Sequence, residues 1–184
     1  NAVNDTPVAS DININIDEDN GIVIQLLGSD VDANTTLVYE IVTSTVNGDL
    51  SVDGGLVTYI PDANFNGDDS LTYRVSDGFL NSEVATVVIT VTSINDVPVI
   101  VSVAPTTATE DIEYTYQVDV VDPDNDSFDF ILDNIPEGMT ISDTGLLTWT
   151  ALEGVLSSGL VTITISDAEF SVSVDSNTAI GFSF

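Results

Sequence analysis

The chain has 184 residues, 43% of them hydrophobic, and a formal net charge of −30 with a single basic residue, Arg74. A single basic side chain cannot neutralise a run of phosphates, so nucleic acid is excluded as a partner, and anionic membrane surfaces are disfavoured. The absence of cysteine and histidine excludes disulfides, thiolate nucleophiles, histidine bases and zinc sites. No apolar run is long enough to span a membrane, so no direct membrane insertion is expected.

Alternating apolar and polar residues predict β-strands along the whole chain. In the first half the strands are expected near residues 8–16, 22–28, 37–43, 46–52, 55–60, 70–76 and 83–93. Turn signals such as Asn-Gly and Asp-Gly separate these runs, and the second half alternates in the same way. Seven short strands per half are typical of a sandwich, so the chain is predicted to be all-β, with two tandem seven-stranded Greek-key β-sandwiches.

Four acidic patterns occur twice, with offsets of 90 to 92 residues, which suits a tandem array of small domains. The predicted domains are residues 1–96 and 97–184, and Pro98 makes the linker short and extended. No signal peptide begins the chain, so a secreted protein would be longer than this sequence. The paired motifs are Asn4-Asp5 with Asn95-Asp96, Glu18-Asp19 with Glu110-Asp111, Asp30-Val31-Asp32 with Asp122-Pro123-Asp124, and Ser76-Asp77-Gly78 with Ser166-Asp167-Ala168.

The repeated acids predict calcium as a cofactor, because calcium takes six to eight oxygen ligands and magnesium demands a tighter octahedron. Without a cation, two carboxylates about 4 Å apart repel by about 1 kcal/mol in water and about 4 kcal/mol at an effective dielectric of 20. Strand counting places acids of both domains at one junction. The expected junction ligands are Glu18, Asp19, Asp69, Asn95, Asp96, Asp122, Asp124 and Asp167; a second, N-terminal set is Asn4, Asp5, Asp30, Asp32 and Asp77.

These motifs resemble those of cadherin-like tandem repeats in large bacterial surface adhesins. In the first domain the resemblance is carried by the segment from Asn64-Phe65-Asn66-Gly67-Asp68-Asp69 to Ser76-Asp77-Gly78. The second domain is similar to the dystroglycan-type cadherin-like, immunoglobulin-like group, through Asp122-Pro123-Asp124-Asn125-Asp126, Pro136-Glu137-Gly138-Met139 and Thr144-Gly145-Leu146-Leu147-Thr148-Trp149. The resemblance implies a Greek-key sandwich, calcium at domain junctions and a place in bacterial adhesins. Residues 176–184 have no counterpart in it.

The leading interpretation is an extracellular spacer on the bacterial cell surface, stiffened by calcium, whose partners are neighbouring repeats of the same chain. The alternative is a calcium-dependent module that binds polysaccharide, or that adheres to a like module or another cell-surface protein. An enzyme is not expected, although 31 acids leave a carboxylate pair open. Asp143-Thr144-Gly145 lacks the second copy that aspartic-protease chemistry needs. Trp149 with Leu147 is interpreted as core.

Overall fold

The computed structural model contains two compact units, which divide the chain between Ile94 and Asn95. The predicted division lies two residues later, after Asp96. Asn95 and Asp96 instead belong to the second unit because they hydrogen-bond to acids within it. The structure describes residues 3–32, 35–124, 127–152, 161–167 and 171–175; the predictions for residues 176–184 lie outside these ranges.

The described residues of the first unit form nine strands. These follow the seven predicted runs, with the first two runs each divided in two. They are β1 (Val8–Ala9), β2 (Ile12–Asp17), β3 (Ile22–Gln25), β4 (Gly28–Ser29), β5 (Val38–Thr43), β6 (Gly48–Asp53), β7 (Leu56–Pro61), β8 (Gly67–Ser76) and β9 (Ala85–Thr92).

Two sheets form this sandwich, with strand orders β2-β9-β8-β5 and β3-β7-β6, and β1 pairs separately with β4. β2 runs parallel to β9, so the first and last strands of the unit lie side by side. The buried hydroxyl of Tyr73 occupies the gap between β1 and β2. It lies 2.6 Å from the Ser10 carbonyl, to which it donates, and 3.1 Å from the Leu27 amide, from which it accepts. The segment between β1 and β2, where the chain passes from one sheet to the other, is therefore hydrogen-bonded to a core residue.

The core of the first unit follows the predicted alternation. Leu71, Tyr73 and Val75 of β8 are fully buried, and the residues between them face outward. β9 alternates in the same way, and its buried side chains pack in the same core as those of β8. A strand with period 2 buries one face and wets the other, which is what the sequence predicts here.

The second unit has eight strands in its described part, arranged in the orders β11-β15-β14 and β13-β16-β17, with β10 paired to β12. Trp149 and Leu147 of β15 lie in its core, as predicted. No helix suited to crossing a membrane occurs in the described ranges. The strands are β10 (Val99–Ile100), β11 (Glu113–Gln117), β12 (Val120–Val121), β13 (Asp129–Asp133), β14 (Thr140–Ile141), β15 (Leu146–Thr150), β16 (Thr162–Ser166) and β17 (Ser171–Asp175).

Candidate cation-binding sites

Three distant segments of the first unit meet at its N-terminal acidic set. The side-chain amide of Asn4 donates to Asp77 Oδ2 at 2.8 Å. The Asp5 backbone N–H donates to Asp32 Oδ2 at 2.8 Å, and the Asp32 N–H donates to Asp30 Oδ1 at 2.8 Å. The fold therefore brings together all the residues of the set that the sequence predicted.

The second unit repeats these three hydrogen bonds at the equivalent residues. Asn95 Nδ2 donates to Asp167 Oδ2 at 3.0 Å. The Asp96 N–H donates to Asp124 Oδ2 at 2.8 Å, and the Asp124 N–H donates to Asp122 Oδ1 at 2.9 Å. The repeat found in the sequence is thus a repeat of donor and acceptor atoms. The two units therefore share the arrangement of these acidic side chains as well as the sandwich fold.

Asp77 is held as an anion at the edge of the N-terminal set. Its Oδ1 accepts hydrogen bonds from the backbone N–H groups of Leu80 at 2.7 Å and Phe79 at 2.6 Å. These donors, followed by the Asn4 amide, lower the pKa of Asp77. A carboxylate that stays ionised is suited to binding a cation at neutral pH.

Glu18 carries a buried carboxylate in the first unit, and the side chain is only 3% exposed. Its Oε1 accepts a hydrogen bond at 2.8 Å from the backbone N–H of Ile94, which is the last residue of the unit. Its Oε2 is buried and has no hydrogen-bond partner among the described residues. Burying a polar atom without a partner is costly, so this oxygen fits a cation ligand.

Asp19 adopts a left-handed backbone conformation, with φ of 57°, and Asp111 repeats that angle at the equivalent place in the second unit. Asp19 Oδ1 accepts from the Asn64 backbone N–H at 3.1 Å. The Glu18-Asp19 turn and the loop before β8 therefore lie at the same end of the first unit, as strand counting predicted. Asp tolerates this backbone region better than most residues.

Asp69 has a different environment from the other predicted ligands. It is 6% exposed, and its oxygens accept from the backbone N–H groups of Val46 at 3.1 Å, Asn47 at 2.9 Å and Ser70 at 2.8 Å. The Tyr59 hydroxyl donates to it as well, at 3.1 Å. These four donors explain why a carboxylate can be buried here, and they indicate a structural role for Asp69. No hydrogen bond joins Asp69 to Glu18 or Asp19 among the described residues.

Carboxylates alone do not make a metal site in the part of the chain that the structure describes, since no three acidic side chains converge closely enough to hold an ion. Calcium also accepts backbone carbonyl, amide and water oxygens. One oxygen in each predicted set favours a cation: Glu18 Oε2 and Asp30 Oδ2 are both buried without a hydrogen-bond partner among the described residues. Each of these oxygens fits a hard cation that also takes neutral oxygen ligands.

Phe79 is a residue that the sequence reasoning missed. It follows Asp77-Gly78 and is 86% exposed, whereas the aromatic side chains of β7 and β8 are buried. Its backbone N–H is held by Asp77 Oδ1. The signal in the sequence is its place in a turn, outside any alternating run.

Two sandwich units with repeated acidic sets define a tandem of immunoglobulin-like, cadherin-like domains. Residues 4–90 match the family described as "Bacterial Ig domain", and residues 97–180 match the family described as "Putative Ig domain". The two matches together indicate two immunoglobulin-like domains in tandem. No curated protein matches its sequence.

Cadherin extracellular domains share this fold. The protocadherin Gamma B2 fragment of domains 3–6 aligns with a TM-score of 0.56 at 17% identity, over 91% of this chain and 45% of that one. Protocadherin Gamma B7 domains 1–4 align with a TM-score of 0.54 at 16% identity, over 91% and 48%. This chain thus spans less than half the length of either structure.

An endo-fucoidan hydrolase of glycoside hydrolase family 107 is also similar, at 23% identity over 92% of this chain and 28% of that one, with a TM-score of 0.41. At that score the likeness carries no argument about activity. Immunoglobulin-like and cadherin-like domains are typically extracellular and non-enzymatic.

Proposed function

We propose that this chain is a calcium-rigidified spacer module of a large bacterial surface protein, located outside the cell. The observation that carries the proposal is the repeat of three hydrogen bonds at two acidic sets, together with the buried free oxygen of Glu18. A chain that repeats a ligand arrangement along its length is suited to linking successive domains. The immediate partners are then the neighbouring repeats of the same protein.

The charge of the chain supports cation binding. A net charge of −30 opposes compaction unless cations offset it. The hydrogen bonds in the two sets orient carboxylates of acids that lie far apart in the sequence. Calcium suits such a mixture of carboxylate, amide and carbonyl oxygens better than magnesium, which retains its waters.

The proposed ligands belong to sets that the chain itself connects. Ile94, whose N–H binds Glu18, is bonded directly to Asn95, whose amide binds Asp167. We propose that the acids of each unit bind calcium. Asp69 is left out because its oxygens already accept four hydrogen bonds. The proposed ligands are Glu18 and Asp19 in the first unit, and Asn95, Asp96, Asp122, Asp124 and Asp167 in the second.

Calcium is expected to raise the melting temperature and to narrow the distribution of molecular dimensions in small-angle scattering. A ligand at 100 times its Kd stabilises a protein by about 2.7 kcal/mol through mass action. The Glu18→Gln variant, which removes the charge and keeps the shape, is expected to lose most of this calcium-dependent shift. Scanning calorimetry and scattering in calcium, magnesium and chelator measure both effects.

Glu83→Gln is the matched control, because it makes the same chemical change at an exposed residue. It should respond to calcium as the unmodified chain does. Melting and scattering that are identical in calcium and in chelator would contradict the proposal. An equal loss in both variants would assign the effect to net charge and not to this site.

A second candidate function is adhesion, either to polysaccharide or to another cell-surface protein. Exposed Phe79 favours it, since an aromatic side chain 86% exposed beside an acidic set can serve as a contact residue. Among the described residues few aromatic side chains are exposed, which disfavours a broad sugar platform.

Phe79→Ala is expected to abolish any calcium-dependent binding detected on a glycan array or between coated beads. It should change the free energy of unfolding by no more than about 0.5 kcal/mol. Val84→Ala, at another exposed apolar residue, serves as the control. Binding that survives Phe79→Ala rules out this residue as the contact. No binding to any glycan or bead leaves the spacer as the function.

A further inference from the structure

Three Asn-Gly pairs lie in turns of the first unit, at Asn20-Gly21, Asn47-Gly48 and Asn66-Gly67. We infer that Asn66 is a site of spontaneous deamidation and that the fold protects Asn47, which has the same neighbour. This inference does not rest on the proposed function. It depends on how the fold restrains each asparagine.

The reaction needs only water as co-reactant. The Gly67 backbone nitrogen attacks Cγ of the Asn66 side chain, the new C–N bond closes a five-membered succinimide, and the side-chain nitrogen leaves as ammonia. Water then opens the ring at either carbonyl and gives aspartate or isoaspartate. The attacking nitrogen must reach Cγ, so the reaction requires backbone freedom and a following residue without a side chain.

Asn47 is restrained on both sides of its Cα. Its backbone N–H donates to Asp69 Oδ2 at 2.9 Å, and its carbonyl accepts from the Asp62 N–H at 2.9 Å and the Tyr59 hydroxyl at 3.2 Å. The following glycine is enclosed, because a Cβ there would clash with the Ile60 carbonyl oxygen. Ring closure at Asn47 therefore requires these contacts to open first.

Asn20 is restrained less. Its side-chain amide, the leaving group of the reaction, donates to the Glu18 carbonyl at 3.0 Å. A Cβ on Gly21 would lie 3.2 Å from Ile60 Cγ1, so this turn packs against the unit. It should react more slowly than Asn66 and faster than Asn47.

Asn66 is the least restrained of the three. It is exposed, and no hydrogen bond of its side chain to a described residue is found. Gly67 begins β8 and forms the end pair of the β8–β9 ladder with Val91. Its φ is 122°, and a Cβ there would meet nothing nearer than Phe65 Cζ at 3.9 Å. Ring closure at Asn66 therefore disturbs only the end of this ladder.

Deamidation of Asn66 would change the charge of the loop before β8, which is hydrogen-bonded to the proposed ligand Asp19. Asn64, two residues earlier, donates its N–H to Asp19. Conversion at residue 66 adds a carboxylate beside Asp68, and isoaspartate also lengthens the backbone by one carbon where β8 begins. An aged chain is therefore expected to carry a more acidic and less regular loop.

Incubation of the folded chain at mildly alkaline pH, followed by peptide mapping, tests the inference. Since Arg74 is the only tryptic site, chymotrypsin is used. Asn66 is expected to show the mass gain of an amide-to-acid conversion at a rate at least about tenfold that of Asn47. A factor of ten corresponds to about 1.4 kcal/mol of free energy for opening the contacts around Asn47. Asn66→Gln, which closes a ring far less readily, should lose the signal.

The same incubation in urea separates fold from sequence. All three Asn-Gly pairs should then react at comparable rates, because no contact restrains them. Equal rates at Asn47 and Asn66 in the folded chain would overturn the inference, as would an unmodified Asn66 beside a modified Asn20. A difference that persists in urea would also overturn it, by assigning the effect to local sequence.

Discussion

Asp69→Ala is expected to destabilise the first unit by about 3–5 kcal/mol, because it removes a buried carboxylate that accepts from three backbone N–H groups and from the Tyr59 hydroxyl. A hydrogen bond to a charged group contributes about 1.5–3 kcal/mol, and water entering the space left by the side chain offsets part of the sum. The donors belong to Val46, Asn47, Ser70 and Tyr59, so the loop between β5 and β6 should loosen first.

The adjacent acid provides the control for this prediction. Asp68 is exposed and accepts one hydrogen bond, from Thr90 Oγ1 at 2.7 Å. Asp68→Ala should cost less than about 1 kcal/mol. Denaturant unfolding followed by circular dichroism measures both, and fluorescence of the single tryptophan, Trp149, follows the second unit separately. Equal costs for the two variants would show that Asp69 is not a structural carboxylate.

The pH dependence of stability follows from the same contacts. Burial alone would raise the pKa of Asp69, but the N–H groups of Asn47, Val46 and Ser70 and the hydroxyl of Tyr59 outweigh it and lower the pKa. A carboxyl whose pKa is lower when folded contributes stability above its unfolded pKa and loses it as the pH falls through the folded pKa. The acid limb of the unfolding profile should therefore flatten in Asp69→Ala.

Most strands could be predicted because alternation is local information. Leu71, Tyr73 and Val75 alternate with polar residues, and all three are fully buried. The division of the first run into β1 and β2 could not be predicted in this way. Its cause is Tyr73, which binds Ser10 across 63 residues, and no local pattern contains that contact.

The acidic sets show the same difference between local and distant information. Their membership could be predicted from repeats, since equivalent residues at offsets of 90 to 92 make equivalent hydrogen bonds. The role of Asp69 could not, because its donors are mostly backbone N–H groups, which leave no trace in residue identity. An acid beside a repeated motif resembles a ligand in sequence, whether its oxygens face a cation or an N–H group.

Trp149→Ala is expected to destabilise the second unit by about 3–5 kcal/mol, the usual cost of removing a large buried aromatic side chain. Trp149 is 3% exposed, lies opposite Tyr114 on the neighbouring strand, and donates its Nε1–H to the Glu137 carbonyl at 3.1 Å. Its removal leaves a cavity and an unsatisfied carbonyl, and the remaining core can fill the space only in part.

Two further variants show which part of Trp149 matters. Trp149→Phe keeps an aromatic ring and loses the hydrogen bond to Glu137, so it should cost less than the alanine variant. Leu146→Ala removes a side chain that is 39% exposed on the opposite face of the same strand, and it should cost about 1 kcal/mol or less. Circular dichroism during denaturant unfolding is the measurement, since the alanine variant lacks the fluorophore. If Trp149→Ala unfolds like the unmodified chain but loses binding to a glycan, this tryptophan is a sugar contact and not a core residue.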